Sequence, residues 1–319
     1  MNAYGEIALE KVTLLPQRYE DVHIAFASDA KYVQHMGVAM TSLLVHNPTA
    51  AFHFHILYDS MEEQDDTNLK KLAQIYQVPL YFYKIVSAPV IDDLRTVYHL
   101  SKATYYRLLL PYILPRQLVK VLYLDCDLVC AGDIRRIWHI DLGAHALAAK
   151  AMPATDDQIV ALDLTNRRYL QSGVLLFNLP VWRQQELTRR SMEYLVSYPD
   201  TIQWLDQDAL AAVLDGQFAD LPGDLHTVID CATGTGTITE ESVIIHFAGQ
   251  CKPWQEWCPD DRQRFYWQYL NMSPWYGAKP EEAWTVYHAI LAAKLETVRG
   301  NPAGVQRLLD KLMGQLRRV

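Results

Sequence analysis

The chain has 319 residues, half of them hydrophobic, which is enough for one large domain or for a domain with an appendage. A formal net charge of −8 argues against a nucleic-acid-binding protein, which usually presents a basic surface. No run reaches the roughly 18 to 20 apolar residues of a membrane span, and the N-terminus lacks the pattern of a signal peptide. The five cysteines form no CxxC pair. These features predict a folded cytoplasmic protein with reduced thiols.

Short apolar runs alternate with helix-period stretches from residue 22 onward, which predicts an α/β sandwich around a largely parallel sheet. Strands are expected at 22–27, 52–58, 80–85, 119–124, 172–179 and 243–249. Helices are expected at 33–46, 61–76, 103–113, 183–198 and 208–216. A Gly/Thr-rich interval at 232–239 predicts a mobile loop, and it lacks the strand and helix that flank a phosphate-binding loop.

The composition changes near residue 259 to aromatic-rich helix. This change predicts an N-terminal extension over 1–21, one α/β domain over 22–258 and a helical C-terminal extension over 259–319. The last stretch gathers four basic residues around a single acid, Asp310, and they are Arg307, Lys311, Arg317 and Arg318. They indicate first a solvated helix face and, as the alternative, contact with an anionic membrane surface.

Two carboxylates, Asp125 and Asp127, end the apolar stretch KVLYL. Side chains at positions i and i+2 of a strand share a face, and ligands bind beyond the carboxyl ends of strands in α/β sheets. Because two such carboxylates repel, Mn²⁺ or Mg²⁺ is the natural cation between them, with a diphosphate completing its shell. A DxD pattern occurs about once by chance in a chain of this length, so its surroundings must decide.

Two other stretches carry groups that suit a binding site. Asp206 and Asp208 in WLDQD precede a helical pattern, where an aspartate most often caps the helix. His246 opens the stretch HFAGQCKPW, in which Gly249 permits close backbone approach and Lys252 supplies a charge suited to a phosphate.

In chain order these stretches resemble the glycosyltransferase family 8 enzymes, which are retaining transferases with a GT-A fold that use UDP-sugars and manganese. The resemblance covers about residues 22 to 255 and depends on the order of its stretches, since none is specific alone. They are FASDAKY (26–32), HLSKATYYRLL (99–109), LDCD (124–127), YLQSGVLLFNLPVWR (169–183), WLDQD (204–208) and HFAGQCKPW (246–254). The resemblance implies a Rossmann-like, mixed, mainly parallel sheet flanked by helices.

The resemblance also implies a role for each matched residue. The metal ligands would be Asp125, Asp127 and His246. The residues expected to contact the nucleotide-sugar are Ala27, Asp29, Tyr32, His99, Arg107, Asp125, Cys126, Gln171, Asp206, Gly249 and Lys252, with Tyr32 stacking on the uracil. On the catalytic face, Asp206 would hold sugar hydroxyls and Gln207 would lie beneath the anomeric carbon.

Two positions depart from the pattern of this family. Members commonly have Asn at the position of Gln171, and an Asp near Met152 that grips the donor sugar. The first turn also carries Ala30 and Lys31 in place of the more usual Asp and Asn. We therefore expect intact nucleotide and metal binding, with an altered choice of donor sugar or a reduced activity.

The C-terminal stretch YLNMSPW (269–275) resembles the extension of bacterial lipopolysaccharide core glucosyl- and galactosyltransferases. This implies a saccharide acceptor, the growing lipopolysaccharide core, at the cytoplasmic face of the inner membrane. The basic tail and the aromatic side chains of this region would either dock at that membrane surface or pack into an ordinary core; the aromatic residues are Trp267, Tyr269, Trp275 and Tyr276.

Two alternatives remain at the level of the sequence. The stretch DCDLV also resembles the nucleophile motif of haloacid-dehalogenase-type phosphatases, in which the first Asp is phosphorylated. That hypothesis leaves FASDAKY, WLDQD and HFAGQCKPW unexplained. The departures at Gln171 and Met152 keep a second alternative open, a non-catalytic relative that binds a nucleotide-sugar without transferring it.

Overall fold

The computed structural model describes residues 8–9, 21–96, 101–283, 285–298 and 300–316. Within these ranges the strands are β1 (Ala8–Leu9), β2 (Asp21–Ser28), β3 (Ala51–Tyr58), β4 (Leu80–Ser87), β5 (Lys120–Leu124), β6 (Leu128–Cys130), β7 (Leu147–Pro153), β8 (Arg168–Asn178), β9 (Ala219–Asp220), β10 (His226–Asp230) and β11 (Ile244–Ala248). Most of the expected extension at 1–21 and the C-terminal residues Arg317 and Arg318 lie outside the described residues.

The helices of the same ranges are α1 (Val33–His46), α2 (Glu63–Tyr76), α3 (Pro89–Asp92), α4 (Tyr106–Ile113), α5 (Arg135–Trp138), α6 (Asp156–Ala161), α7 (Leu179–Gln184), α8 (Leu187–Ser197), α9 (Asp206–Leu214), α10 (Arg264–Met272), α11 (Val286–Val298) and α12 (Pro302–Leu316). Short 3₁₀ turns at Lys102–Tyr105 and Asp261–Gln263 lead into α4 and α10.

The larger sheet has the strand order β1-β4-β3-β2-β5-β8-β7-β9. Its centre, from β4 to β5, is parallel, and β8 runs antiparallel to both β5 and β7. A second sheet has the order β10-β11-β6. These pairings confirm the predicted α/β class with a mixed, mainly parallel sheet flanked by helices.

The central strand β2 is buried on both faces, which explains why most of its residues are apolar. Ile24 and Phe26 pack in one cluster with the apolar side chains of α1. Ala25 and Ala27 face the opposite cluster, which includes α4. The two layers of helices therefore hold the carboxyl ends of β2 and β5 at one edge of the sheet, where the polar residues of the predicted site begin.

Most predicted elements form, with three differences in extent. The helix expected at 183–198 is two helices, α7 and α8, because Glu186 between them adopts a left-handed φ of 52°. Strand β8 begins at Arg168, four residues before the expected start. Helix α9 begins at Asp206 instead of residue 208, and its N-cap position is occupied by Leu205 without a side-chain cap. The expectation that Asp206 or Asp208 caps this helix is therefore wrong.

The C-terminal helices pack onto the α/β domain through a shared apolar cluster that includes Val38 of α1 and Ile245 of β11. Tyr269 and Trp275 are buried, and the indole of the partly buried Trp267 donates to Pro253 O at 3.0 Å. Tyr276 is 75% exposed. Of the four aromatic residues considered for membrane docking, three therefore contribute to packing. The division at residue 259 stays a prediction.

Candidate active site

The site begins where β5 ends, between its neighbours β2 and β8. The Asp125 backbone N–H donates to Gly173 O of β8 at 2.8 Å, and Tyr123 OH donates to Asp125 Oδ1 at 2.7 Å. Two residues later, Asp127 O accepts from the Phe247 N–H of β11 at 2.9 Å. The turn after β5 is thus held by both sheets, which brings His246 on β11 to the two carboxylates.

Asp125, Asp127 and His246 form the one group of candidate metal ligands among the described residues. Their ligand atoms lie within 4.8 Å of one another. His246 Nε2 is 3.1 Å from Asp127 Oδ1 and 4.0 Å from Asp125 Oδ2. The Asp127 Oδ1 atom is buried and accepts no hydrogen bond within the described part of the chain. Two carboxylates and an imidazole fit a divalent cation such as Mn²⁺.

Two buried cations border this group. Lys252 Nζ lies 2.6 Å from Asp127 Oδ2 and donates to Phe247 O at 3.0 Å. Arg107 Nη1 lies 3.0 Å from Asp125 Oδ1. Burial raises the pKa of Asp127, but the nearby Lys252 and His246 outweigh it and hold that pKa well below its usual range. Asp127 is therefore ionised and available as a ligand at neutral pH.

Arg107 also links the first acidic pair to Asp206. Its Nε lies 3.1 Å from Asp206 Oδ2, and Thr104 Oγ1 donates to Asp206 Oδ1 at 3.0 Å. The guanidinium carbon lies 4.7 Å from the centre of the Tyr123 ring. Burial raises the pKa of Asp206 to about 6, against the opposing charge of Arg107. Asp125 and Asp206 thus share one buried cation from opposite sides.

The residues after Asp206 are held by a network of hydrogen bonds. Gln207 Oε1 accepts from the Ser172 N–H at 2.9 Å, and its Nε2 donates to Tyr169 OH at 3.1 Å. Asp208 Oδ2 accepts from two backbone N–H groups, of residues 203 and 204, at 2.7 Å each, and Asp208 Oδ1 accepts from Tyr169 OH. Leu205 adopts a φ of 52° and a ψ of −125°, a strained backbone that this network holds in place.

A polar pocket opens beside the carboxyl ends of β2 and β5. Asp29 Oδ1 accepts from the Lys31 and Tyr32 backbone N–H groups at 2.9 and 3.2 Å, which shapes the turn before α1. Cys126 Sγ donates to Ala27 O at 3.3 Å. The pocket is lined by Ala27, Ser28, Asp29, Tyr32, Ser101, Ala103, Thr104, Arg107, Tyr123, Asp125, Cys126 and Asp127.

The family model of glycosyl transferase family 8 matches residues 23–258, which include every part of the site described above. The chain belongs to glycosyl transferase family 8. It is therefore a glycosyltransferase, and the family is the one that the sequence resembles.

Similar proteins include named bacterial glycosyltransferases. The lipopolysaccharide 1,2-glucosyltransferase of Escherichia coli K12 is 28% identical in an alignment of 303 positions that covers 89% of each chain. The lipopolysaccharide 1,3-galactosyltransferase of Salmonella typhimurium LT2 is 25% identical in an alignment of 267 positions that covers 79% of each chain. The crystal structure of the galactosyltransferase LgtC with donor and acceptor sugar analogs has a TM-score of 0.71 at 22% identity, covering 82% of this chain and 98% of LgtC. This similarity shows the GT-A fold.

The structure of this family 8 chain brings most of the predicted site residues together. Six residues expected to contact the nucleotide-sugar line the same pocket as Asp127, and they are Ala27, Asp29, Tyr32, Arg107, Asp125 and Cys126. His246 and Lys252 join this group through Asp127, and Asp206 joins it through Arg107. Their roles toward a ligand stay predictions.

Two predicted residues make contacts outside that group. Gln171 turns its side chain along β8, where its Oε1 accepts from the Gly173 N–H at 2.6 Å. Gly249 follows β11 with a φ of 80°, and a Cβ at this position would lie 3.2 Å from the Asp230 carboxyl carbon. His99 lies outside the described residues.

Sequence reasoning missed two residues that shape the site. A Cβ on Gly173 would lie 2.3 Å from His246 Cε1 and 2.9 Å from Asp125 Oδ2, so glycine is required there. His226 Nε2 lies 3.1 Å from His246 Nδ1. The only sequence signal for Gly173 is a glycine inside an apolar strand, which often marks a close approach. A single histidine at the start of β10 offers no comparable signal.

Proposed function

We propose that this chain transfers a hexose, with retention of configuration, from a UDP-sugar to a saccharide acceptor of the lipopolysaccharide core, with Mn²⁺ as the cofactor. The observation that carries the proposal is the convergence of Asp125, Asp127 and His246 beside Lys252 in a family 8 chain. The names of the two bacterial relatives support the choice of acceptor. Mg²⁺ is the second candidate for the cation.

The three ligands would hold the cation at the edge of the polar pocket. When bound, a divalent cation neutralises the negative charge that accumulates on a departing diphosphate. Lys252 acts in the same sense, because it is a buried, fixed positive charge next to Asp127. Arg107 keeps Asp206 in place and ionised in part, so that its carboxylate can accept from sugar hydroxyls.

We propose that Gln207 supports the reaction without forming a bond to the sugar. Its amide oxygen accepts from Ser172 and its amide nitrogen donates to Tyr169, and an amide is in any case a poor nucleophile. We therefore favour front-side attack, in which the leaving phosphate oxygen takes the proton of the acceptor. Trapping of a covalent sugar on Gln207 or Asp206 in the wild-type enzyme would contradict this route.

The proposal is tested by release of UDP from a panel of UDP-sugars. We expect UDP-glucose or UDP-galactose to be turned over in the presence of Mn²⁺, and neither to be turned over with EDTA. The N-acetyl forms test whether Gln171 and Met152 have changed the choice of sugar. The non-catalytic alternative would be identified by a different result: UDP and Mn²⁺ raise the melting temperature, but no UDP is released from any UDP-sugar. Family membership removes the phosphatase alternative.

We propose as well that the C-terminal helices bring the enzyme to the inner membrane surface. No helix in the described ranges is long and apolar enough to cross a membrane. The aromatic side chains that this region exposes include Tyr276 and Tyr287. Of the basic residues, Arg307 is already paired with Glu256, at 2.9 Å. Co-sedimentation with vesicles of anionic lipid is expected to fall when residues 302–319 are deleted, and equal partitioning of the two proteins would contradict docking.

A further inference from the structure

A buried histidine lies behind the candidate metal ligand His246. His226 begins β10 and has no exposed surface, and its Nε2 lies 3.1 Å from His246 Nδ1. Strands β10 and β11 run parallel with Val228 opposite His246, so His226 lies two residues back on the neighbouring strand. The imidazole planes differ by 15°. Among the described residues, the nitrogen of His246 that points away from the carboxylates therefore has one hydrogen-bond partner, His226.

A neutral imidazole binds a cation through the nitrogen that carries no hydrogen. Since Nε2 of His246 faces Asp127, metal binding requires the hydrogen of this ring to be on Nδ1. That hydrogen can be donated only if His226 Nε2 is the acceptor. The hydrogen of His226 is then on its own Nδ1, an atom that is buried and has no hydrogen-bond partner among the described residues.

We propose that His226 is a positioning residue for the metal site, which fixes the tautomer and the ring orientation of His246. The inference rests on the proposed metal site. Without a cation, the opposite arrangement satisfies more atoms: His226 Nε2–H donates to His246 Nδ1, and His246 Nε2–H points at Asp127 Oδ1 across 3.1 Å.

The two arrangements contain the same number of hydrogens. Both arrangements are those of neutral rings, with one N–H on each ring. Cation binding therefore moves the hydrogen of His246 from Nε2 to Nδ1 and the hydrogen of His226 from Nε2 to Nδ1. In the cation-bound arrangement His226 Nδ1–H has no acceptor, and this cost lowers the metal affinity. The hydrogen bond from His246 to His226 has the opposite effect, because it fixes the orientation of His246 as a metal ligand.

The inference is tested by Mn²⁺ titration in the presence of UDP, with free Mn²⁺ followed by electron paramagnetic resonance. His226→Phe keeps a planar ring but removes the acceptor, and we expect a loss of Mn²⁺ affinity of about 10- to 100-fold, the usual effect of losing a group that orients a metal ligand. His226→Gln offers an amide oxygen to His246 Nδ1–H and is expected to recover most of the affinity.

The matched control is His55→Phe. His55 is also a buried histidine that contacts a second histidine, with its Nε2 2.9 Å from His23 Nδ1, but it lies on β3 within the large sheet. Its substitution is expected to leave Mn²⁺ affinity unchanged. Wild-type protein that fails to bind Mn²⁺ would overturn the proposed metal site, whereas equal affinity of wild type and His226→Phe would overturn the role of His226 alone.

A second measurement uses the wild-type protein and so does not depend on the folding of a variant. The ring nitrogens are observed by NMR after labelling histidine with ¹⁵N, with saturating Mg²⁺ and UDP as the diamagnetic probe. We expect hydrogens on Nδ1 of both His226 and His246 with the cation, and on Nε2 of both without it. A hydrogen on Nε2 of His226 in the saturated state would overturn the role of His226, whereas a hydrogen that stays on His246 Nε2 would overturn the metal site itself.

Discussion

The chain contains two DxD motifs, and the last aspartate of each has opposite surroundings in the structure. In the first, Asp125 and Asp127 end a strand, and their carboxylates face His246 with one buried oxygen that accepts no hydrogen bond within the described ranges. In the second, Asp208 lies inside the first turn of α9 and accepts two backbone N–H groups and a tyrosine hydroxyl. In the first motif, Asp127 Oδ1 lacks a hydrogen-bond donor within the described ranges. The carboxylate of Asp208 accepts three hydrogen bonds.

The spacing of two aspartates is therefore not sufficient for a metal site. The role of each aspartate pair depends on what the fold places beside it, either further metal ligands or further hydrogen-bond donors. Strand β11 brings an imidazole to the first motif. At the second motif, a strained turn at Leu205 brings N–H groups to Asp208. We propose that a cation completes the first arrangement. At the second motif, the Asp208 carboxylate is satisfied within the chain, whereas Asp206 pairs with Arg107 and its Oδ2 accepts no hydrogen bond within the described ranges.

The largest effect is expected for Asp127→Ala. This substitution removes a metal ligand and leaves the buried Lys252 without its carboxylate. We expect loss of detectable Mn²⁺ binding and UDP release, and a fall in the free energy of unfolding of about 3–5 kcal/mol, as for other broken buried pairs. Calorimetric titration, UDP release and chemical denaturation measure the three effects. Asp133→Ala, at a partly exposed aspartate that pairs with Arg135, is the control. Normal turnover of Asp127→Ala would contradict the metal assignment.

A large effect is also expected for Gly173→Ala, although it changes no ligand. The new methyl group would lie 2.3 Å from His246 Cε1 and 2.9 Å from Asp125 Oδ2, so one of these side chains must move. We expect Mn²⁺ affinity to fall about 10- to 100-fold. Gly223→Ala, where a Cβ has open space within 4 Å, is the matched control. Wild-type affinity in Gly173→Ala would show that the metal ligands are less tightly placed than the structure indicates.

The sequence predicted the first motif better than the second, for a physical reason. The first motif follows a strand that the apolar pattern predicts, and the strand that carries His246 is predicted in the same way, although the two strands belong to different sheets. Periodicity and turn residues determine those elements locally. The role of Asp208 depends on the left-handed turn at Leu205 and on Tyr169 from β8, which are contacts between distant stretches. The position of Gly173 opposite His246 depends on the same kind of long-range packing.

A smaller effect is expected for Gln207→Ala, which lies between the two aspartates of the second motif. The amide holds Ser172 and Tyr169 but touches none of the metal ligands. We expect kcat for UDP-sugar turnover to fall about 10- to 100-fold, with unchanged affinity for UDP and Mn²⁺. Gln203→Ala, an exposed glutamine of the same loop, is the control. A parallel loss of Mn²⁺ affinity would show that the two motifs form one unit.

The smallest effect on the metal is expected for Asp208→Asn. The amide presents donors where the carboxylate accepts, so the N–H groups of Gln203 and Trp204, or the hydroxyl of Tyr169, lose a partner. We expect the free energy of unfolding to fall by about 1–3 kcal/mol in chemical denaturation, the usual cost of a buried group left unsatisfied. Mn²⁺ affinity should stay within error of the wild type, since Asp208 serves the loop and not the cation. A tenfold loss of Mn²⁺ affinity at unchanged stability would mean that both motifs bind metal, and the contrast between them would fail.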